Sequence, residues 1–223
     1  VMSNDEYGRK GYDVKLSMPI RYENLLRKKD DPGGFINATK HIEYYIRKTG
    51  DEIKHASNVK ANMTEWRTHQ KNIHFMKIAN AALFLCQEGM KTKYPLEIGD
   101  CWGALYKKGE HTISHHHFPF TWSFTYYVKV SEHTAPLIFE NVMNPQDKSF
   151  VNMPIQPKKG DLFIFPSQLR HSVPQQKTDD ERIMVAGNIW YNFKSENIDI
   201  AKINSDCKYI LQDDYEKISD STK

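Results

Sequence analysis

Trp122-Ser123-Phe124-Thr125-Tyr126-Tyr127-Val128-Lys129-Val130 is a run of aromatic, β-branched and hydroxyl-bearing residues with almost no helix formers. Such a run reads as a strand. Upstream, Trp102-Gly103-Ala104-Leu105-Tyr106 has the same character. Working outward, short runs of this kind alternate with Gly, Pro, Asn and Asp clusters from Gly89 to about residue 193. They predict strands over 93–98, 101–107, 122–130, 136–140, 149–155, 161–165, 171–173 and 182–191. Several short strands with turns between them indicate a sandwich or jelly roll.

Between the two aromatic runs lies Ser114-His115-His116-His117-Phe118-Pro119. On extended backbone side chains alternate, so His115 and His117 share one side and His116 points away. Two imidazoles on one side can hold one ion, and a third from a distant segment leaves coordination positions open for chemistry. Clustered histidines also occur as exposed or core residues with no metal role. The position of this triplet between strands favours the metal reading.

Farther on, Lys158-Lys159-Gly160-Asp161 reads as a turn and Leu162-Phe163-Ile164-Phe165 as a buried strand, after which Pro166-Ser167-Gln168-Leu169-Arg170 leads to His171. A third imidazole thus arrives at the end of a strand. The chain continues through Val173-Pro174 and a polar turn, Gln175 to Glu181, and returns as Arg182-Ile183-Met184-Val185-Ala186-Gly187-Asn188. Read as a hairpin, this makes His171 and Arg182 close to cross-strand partners, about 5 Å apart at the backbone. Arg182, Met184, Ala186 and Asn188 share one face, while Ile183, Val185 and Gly187 share the other. A buried arginine without a counter-ion costs several kcal/mol. Either an acid, Glu110 or Asp161 for example, or an anionic ligand must answer Arg182, and a guanidinium can grip a carboxylate bidentately.

Two helices precede the β-rich region. Ile36, Ile42, Tyr45 and Ile46 form a stripe over Phe35 to Thr49, with Gly50 as terminator. Phe75, Ile78, Ala82 and Leu85 form another from about Thr68 to Glu88, with Gly89 as the stop. Neither carries a set of catalytic groups, so both read as scaffolding over one face of a sheet. His69 and His74 read as surface or core residues. The expected division is an N-terminal arm with supporting helices over 1–92, a catalytic core over 93–193 and a C-terminal extension of the same globular unit over 194–223. Asp31-Pro32-Gly33-Gly34 closes the arm, and Ile200, Ile203 and Ile210 are possible anchors of a charged tail whose end reads as disordered.

With 223 residues, 26% charged and 12% aromatic, the composition is that of a folded soluble protein with a full core. No apolar run approaches the roughly 18 residues a membrane span needs, and no secretory signal pattern is visible. Cys86, Cys101 and Cys207 are odd in number, scattered and without CxxC spacing, which implies neither a disulfide framework nor a thiolate zinc site. A reducing cytoplasm fits. A net charge of +3 is too small to argue for nucleic acid, and Arg27-Lys28-Lys29 and Lys107-Lys108 read as solvated faces. Val1 preceding Met2 reads as a scar or a trimmed start, and no argument rests on the first few residues.

Taken together, the segment from Trp102 to Asn188 resembles the 2-oxoglutarate and iron(II)-dependent oxygenases, in particular a bacterial and cyanophage subgroup related to prolyl hydroxylase-like enzymes. The resemblance rests on the aromatic strand, His115-x-His117, Ser123 through Tyr126-Tyr127, Phe165-Pro166-Ser167-x-Leu169-x-His171, and Arg182 through Asn188. It implies a mainly β fold with N-terminal helices, a double-stranded β-helix or cupin-like jelly roll with the metal at one end. It implies Fe(II), 2-oxoglutarate as co-substrate and O2, with hydroxylation of a substrate and release of succinate and CO2. His115 and His171 look like the histidine ligands, and Arg182 like the anchor of the distal carboxylate, with Tyr127 or Ser123 assisting and Asn188 closing the last motif. Most of the superfamily keeps Asp or Glu where this chain has His117, a 2-His-1-carboxylate set. Three imidazoles would leave Fe(II) its full +2 charge, which favours a dianionic co-substrate. Glu110 or Asp180 could instead supply the carboxylate, with His117 set behind it. Two other readings stand beside this one: a cupin-like three-histidine metalloenzyme without 2-oxoglutarate, and a non-catalytic binding module stabilised by metal. No residue chooses the prime substrate; Trp66, Tyr106, Trp122 and Trp190 read as pocket or core aromatics.

Overall fold

Residues 2–4, 10–12, 18–27, 30–50, 57–90, 94–140 and 152–192 are described by the computed structural model. In chain order its elements are β1 (Met2–Asn4), β2 (Lys10–Tyr12), β3 (Arg21–Asn24), α1 (Phe35–Thr49), β4 (Val59–Lys60), β5 (Asn62–Met63) and α2 (Ile73–Met90). There follow β6 (Leu96–Tyr106), β7 (His111–His115), β8 (Trp122–Lys129), β9 (Leu137–Phe139), β10 (Met153–Ile155), β11 (Asp161–Pro166), β12 (His171–Val173) and β13 (Arg182–Tyr191). β1 and β2 form a ribbon of their own. The rest make two antiparallel sheets, a major one in the order β3-β11-β8-β13-β6-β5 and a minor one in the order β10-β9-β12-β7-β4. These face each other as a double-stranded β-helix, the jelly roll expected from the strand pattern.

The period-two alternation of β8 and β13 divides their side chains between two cores. Phe124, Tyr126, Val128, Ile183, Val185 and Ile189 face outward and meet the helices, through Ile42 and Ile46 of α1 and Phe75, Ile78, Ala79 and Ala82 of α2. Gly103 of β6 makes this approach possible, since a Cβ there would lie 2.5 Å from Ile46 Cδ1. Inward, Met63, Trp102, Ala104, Tyr106, Tyr127, Phe163, Met184 and Ala186 cluster. Leu137, Phe139, Phe165 and Leu169 form a third group beneath the minor sheet. α1 begins where the Asp31 carboxylate accepts the amides of Phe35 (2.6 Å) and Ile36 (2.9 Å), which satisfies two otherwise unpaired donors.

Several expectations are corrected. The strands predicted over 93–98 and 101–107 are one strand, β6, whose register against β13 shifts between Asn188 and Ile189. β7 was not foreseen, because its residues, His111-Thr112-Ile113-Ser114-His115, are mostly polar. The second helix is preceded by a 3-10 turn over Thr68–Gln70 and starts at Ile73, after Asn72 Oδ1 accepts the His74 amide (2.9 Å). It runs through Gly89 to Met90, so Gly89 does not stop it. Of the strand expected over 149–155, β10 occupies 153–155, and 149–151 lie outside the described residues.

The largest correction concerns His171 and Arg182. They are not cross-strand partners: His171 lies opposite His115 and Phe139 in the minor sheet, whereas Arg182 lies opposite Tyr106 in the major sheet. The connection crosses from one sheet to the other, pinned by Gln176, whose amide N–H bonds Glu110 O (2.9 Å) and whose side chain bonds Ala135 N (2.7 Å) and Asp180 O (2.6 Å).

The N-terminal segment also supplies strands to the core, as β3 pairs with β11, β4 with β7 and β5 with β6. The extension expected over 194–223, with Cys207, lies outside the described residues. Cys86 and Cys101 are buried free thiols. Among the described residues no helix is long and apolar enough to cross a membrane.

Candidate metal and anion site

His115 is the last residue of β7, directly opposite His171 at the start of β12. Two residues on, the chain is held in place by the His117 amide, which donates to Ser167 O (2.8 Å). The result is a convergent cluster in which one ligand atom from each of His115, His117 and His171 lies within 4.8 Å of the others. His115 Nδ1 lies 2.8 Å from Ile113 O, and His171 Nδ1 3.0 Å from Leu169 O. A carbonyl only accepts, so both rings carry their proton on Nδ1 and present a bare Nε2. His117 Nε2 faces His171 Nε2 at 3.3 Å. Burial, then His171 and His115, lower the His117 pKa to about 2, and burial, then His115, lower that of His171 to about 3. Burial also lowers His115. The three rings are neutral, and neutral imidazole is the form that ligates a metal. This donor set fits a nitrogen-binding divalent ion such as Fe(II).

His116 stands apart, exposed, with its Nδ1 accepting the Phe118 amide (3.2 Å). The acids considered as substitutes for His117 are engaged elsewhere. Glu110 Oε2 accepts the Lys107 amide (2.6 Å), and Asp180 Oδ2 accepts the Ser131 hydroxyl (2.6 Å). Neither joins the histidine group.

Arg182 enters from the first position of β13 and is fully buried, at 0% exposure. Its guanidinium lies between the rings of Tyr106 and Tyr127, with Cζ 5.0 and 5.1 Å from their centroids. Nη2 donates to Tyr127 Oη (3.2 Å) and Nη1 to Met184 Sδ (3.2 Å), while Nε has no partner. Asp161, a possible counter-ion on sequence grounds, instead accepts from Tyr22 Oη (3.1 Å), Asn24 Nδ2 (2.8 Å) and Lys158 N (2.7 Å). Among the described residues no carboxylate pairs with Arg182. The aromatic faces offset part of its charge, yet a buried guanidinium facing two tyrosines and a thioether remains short of an anion.

Arg182 and the three histidines line one inner cavity, together with Trp102, Tyr106, Thr125 and Met184. It has about 30 Å³ of free space. An outer cavity of about 290 Å³ shares Val59, Trp102, His115 and His117 with it and is also lined by Asn58, Trp66 and His116. Of the other predicted contacts, Tyr127 reaches Arg182, but Ser123 and Asn188 do not line the inner cavity. Ser123 Oγ donates to Asn188 Oδ1 (2.9 Å) and shares a hydrogen bond with Ser167 Oγ (2.8 Å). This buried set joins β8 and β13 to the loop whose carbonyl holds His117. Tyr106 and Thr112, which share a hydrogen bond of 2.7 Å beside Arg182, were missed as a pair. The alternation that places Tyr127 inward also places Thr125 there, so the signal for Thr125 was present.

Residues 100–188 match the family model described as "Putative 2OG-Fe(II) oxygenase". Over that segment the chain is similar to the 2OG-Fe(II) oxygenases. Solved 2OG-Fe(II) oxygenases share its fold. A prolyl-4-hydroxylase from Pseudomonas putida superposes with a TM-score of 0.58 at 16% identity, covering 79% of this chain and 94% of its own. A viral collagen prolyl hydroxylase from Paramecium Bursaria Chlorella virus-1, solved as a 2OG complex, gives 0.55 at 17% identity, covering 76% and 94%. HygX from Streptomyces hygroscopicus, with nickel, 2-oxoglutarate and hygromycin B bound, gives 0.57 at 9% identity, covering 79% and 84%. No curated protein sequence matches the chain.

Proposed function

We propose that the protein is an Fe(II)- and 2-oxoglutarate-dependent dioxygenase that hydroxylates a substrate with release of succinate and CO2. The observation that carries this reading is Arg182: fully buried, without a carboxylate partner among the described residues, in the same cavity as three neutral imidazoles. His115, His117 and His171 hold the iron through their inward nitrogens. Because none of them brings negative charge, the ion keeps its +2 for a dianion. Arg182 and Tyr127 take the distal carboxylate, which exchanges a thioether contact for a charge-assisted hydrogen bond. Bound iron supplies the redox chemistry that couples O2 and 2-oxoglutarate to hydroxylation.

The remaining residues shape and dry the site. Leu137, Phe165 and Val173 wall the inner cavity with apolar surface. Its 30 Å³ is smaller than a five-carbon diacid, and Met184, unbranched and flexible, is the lining residue able to turn aside for one. The prime substrate enters through the outer cavity past Trp66 and Trp102. On this reading 93–193 carry the catalytic groups and the described part of 1–92 supports them, with β3, β4 and β5 completing the sheets.

The test is spectroscopic and chemical. Anaerobic addition of 2-oxoglutarate to the Fe(II) protein produces a weak visible charge-transfer band, and admission of air produces succinate. Absence of both contradicts the proposal. Metal binding without a band points to a three-histidine enzyme that does not use 2-oxoglutarate.

A further inference from the structure

Among the described residues none answers the hydroxyl of Thr125. It is 5% exposed, and its Oγ1 has no hydrogen-bond partner. A threonine hydroxyl both donates and accepts, and nearly all buried polar groups find a partner, so an orphan at the wall of a cavity calls for an occupant. The neighbouring hydroxyls are engaged: Ser123 with Ser167 and Asn188, Tyr127 with Arg182, and Thr112 with Tyr106.

The strand register shows where along the cavity this hydroxyl sits. Ser123, Thr125 and Tyr127 share the inward face of β8, in steps of about 7 Å. Tyr127 lies opposite Met184, beside Arg182 and its end of the cavity. Ser123 lies opposite Asn188 and bonds Ser167, whose carbonyl holds His117. Thr125, opposite the small side chain of Ala186, lies between these two positions on β8 and lines the same cavity as the guanidinium and the histidines. An anion anchored at one end by Arg182 and directed at the histidines with the other must pass it.

We propose that Thr125 is a further binding residue for a 2-oxo dicarboxylate, its hydroxyl donating to an oxygen of the keto-acid end while Arg182 holds the far carboxylate. This rests on the 2-oxoglutarate reading above and adds to it a group on the wall between the two ends. The hydroxyl selects for length. A shorter diacid held by Arg182 does not bring its second end to Thr125.

The test uses Thr125→Val, which keeps the β-branched shape and removes the hydroxyl, and Thr125→Ser, which restores it. The Fe(II) proteins are titrated with 2-oxoglutarate without oxygen, and the metal-free proteins are melted. Thr125→Val is expected to weaken 2-oxoglutarate about tenfold or more, the scale of one hydrogen bond to a charged group. Its metal affinity stays unchanged, its ligand-free Tm is equal or higher because an unpaired polar group has gone, and Thr125→Ser recovers the binding. Wild-type affinity in Thr125→Val overturns the inference and leaves the parent reading intact. A lower Tm in ligand-free Thr125→Val also overturns it, by showing that the hydroxyl serves the protein itself. Failure of the wild-type protein to bind 2-oxoglutarate overturns both.

Discussion

In the major sheet, β13 runs ten residues between β6 and β8 with α1 and α2 packed on its back, whereas in the minor sheet, among the described residues, no strand exceeds five and β12 has three. Arg182 is mounted on the first and the histidines on the second. The guanidinium is therefore positioned by packing that exists without any ligand. The imidazoles of His115 and His171 are aligned by bonds to Ile113 O and Leu169 O, on strands whose register slips between His171 and Val173, and His117 is placed by the bond of its backbone amide to the Ser167 carbonyl. The difference shows that one end of the site is built by the fold and the other is finished by its ion, because ligands held on short elements gain order when a metal binds.

Breaking the packing behind the major sheet should have the largest effect. Phe75→Ala removes a fully buried ring between helix and sheet and is expected to cost about 3–5 kcal/mol in chemical denaturation. The loss should be the same with and without metal, whereas a metal-dependent loss would show that the two sheets are not separate in this way. Arg182→Met should act on the ligand alone. It is expected to weaken 2-oxoglutarate about a hundredfold in an anaerobic titration while leaving metal affinity and Tm unchanged, since replacing a buried charge by an apolar side chain of similar size is often neutral or stabilising. A drop in Tm would mean that the arginine is structural.

These two residues also show what was legible. Arg182 was conspicuous because arginine on the inward face of an otherwise apolar strand demands an explanation, and alternation gave that face correctly. The histidine triplet was conspicuous for its spacing. The place of His171 relative to Arg182 was not legible, since eleven residues of separation fit a hairpin equally well and only the sheet-to-sheet crossover pinned by Gln176 rules it out. β7 was hidden because its polar residues carry no alternation of hydrophobicity, and β3 to β5 because they are only two to four residues long. Ser123 and Asn188 were assigned to the ligand on motif alone. Ser123 Oγ bonds the Asn188 side-chain oxygen and Ser167 Oγ, and neither Ser123 nor Asn188 lines the inner cavity.

At the minor sheet the expected effects are those of the metal. Adding a divalent ion at about a hundred times its Kd should stabilise the protein by about 2.7 kcal/mol. His171→Ala should abolish that rise in Tm, and His116→Ala should not alter it. Equal effects of the two substitutions would dissolve the distinction drawn between His116 and the three convergent histidines.

The smallest effect lies at the edge of the helix layer. Glu181 bridges Arg47 of α1 (2.6 Å) and Lys129 of β8 (2.9 Å), and hydrogen bonds to these partners, Arg47 first, hold its carboxyl at about 2 rather than 4.5. A depressed acid stabilises the fold above its unfolded pKa, and that contribution is lost as pH falls from about 4.5 through about 2. With its partners half exposed the contribution is under ~1 kcal/mol. Glu181→Gln should therefore reduce stability slightly at neutral pH and flatten the acid limb of the stability curve; an unchanged acid limb would remove the bridge from the account.

A crystal structure grown without oxygen in the presence of Fe(II) and 2-oxoglutarate tests the central claim most directly. The account predicts iron about 2.1 Å from the inward nitrogens of His115, His117 and His171, and a carboxylate on Arg182 with Met184 turned aside. Iron bound through any other set of residues, or Arg182 still against Met184 in a site that holds the metal but no diacid, would contradict it.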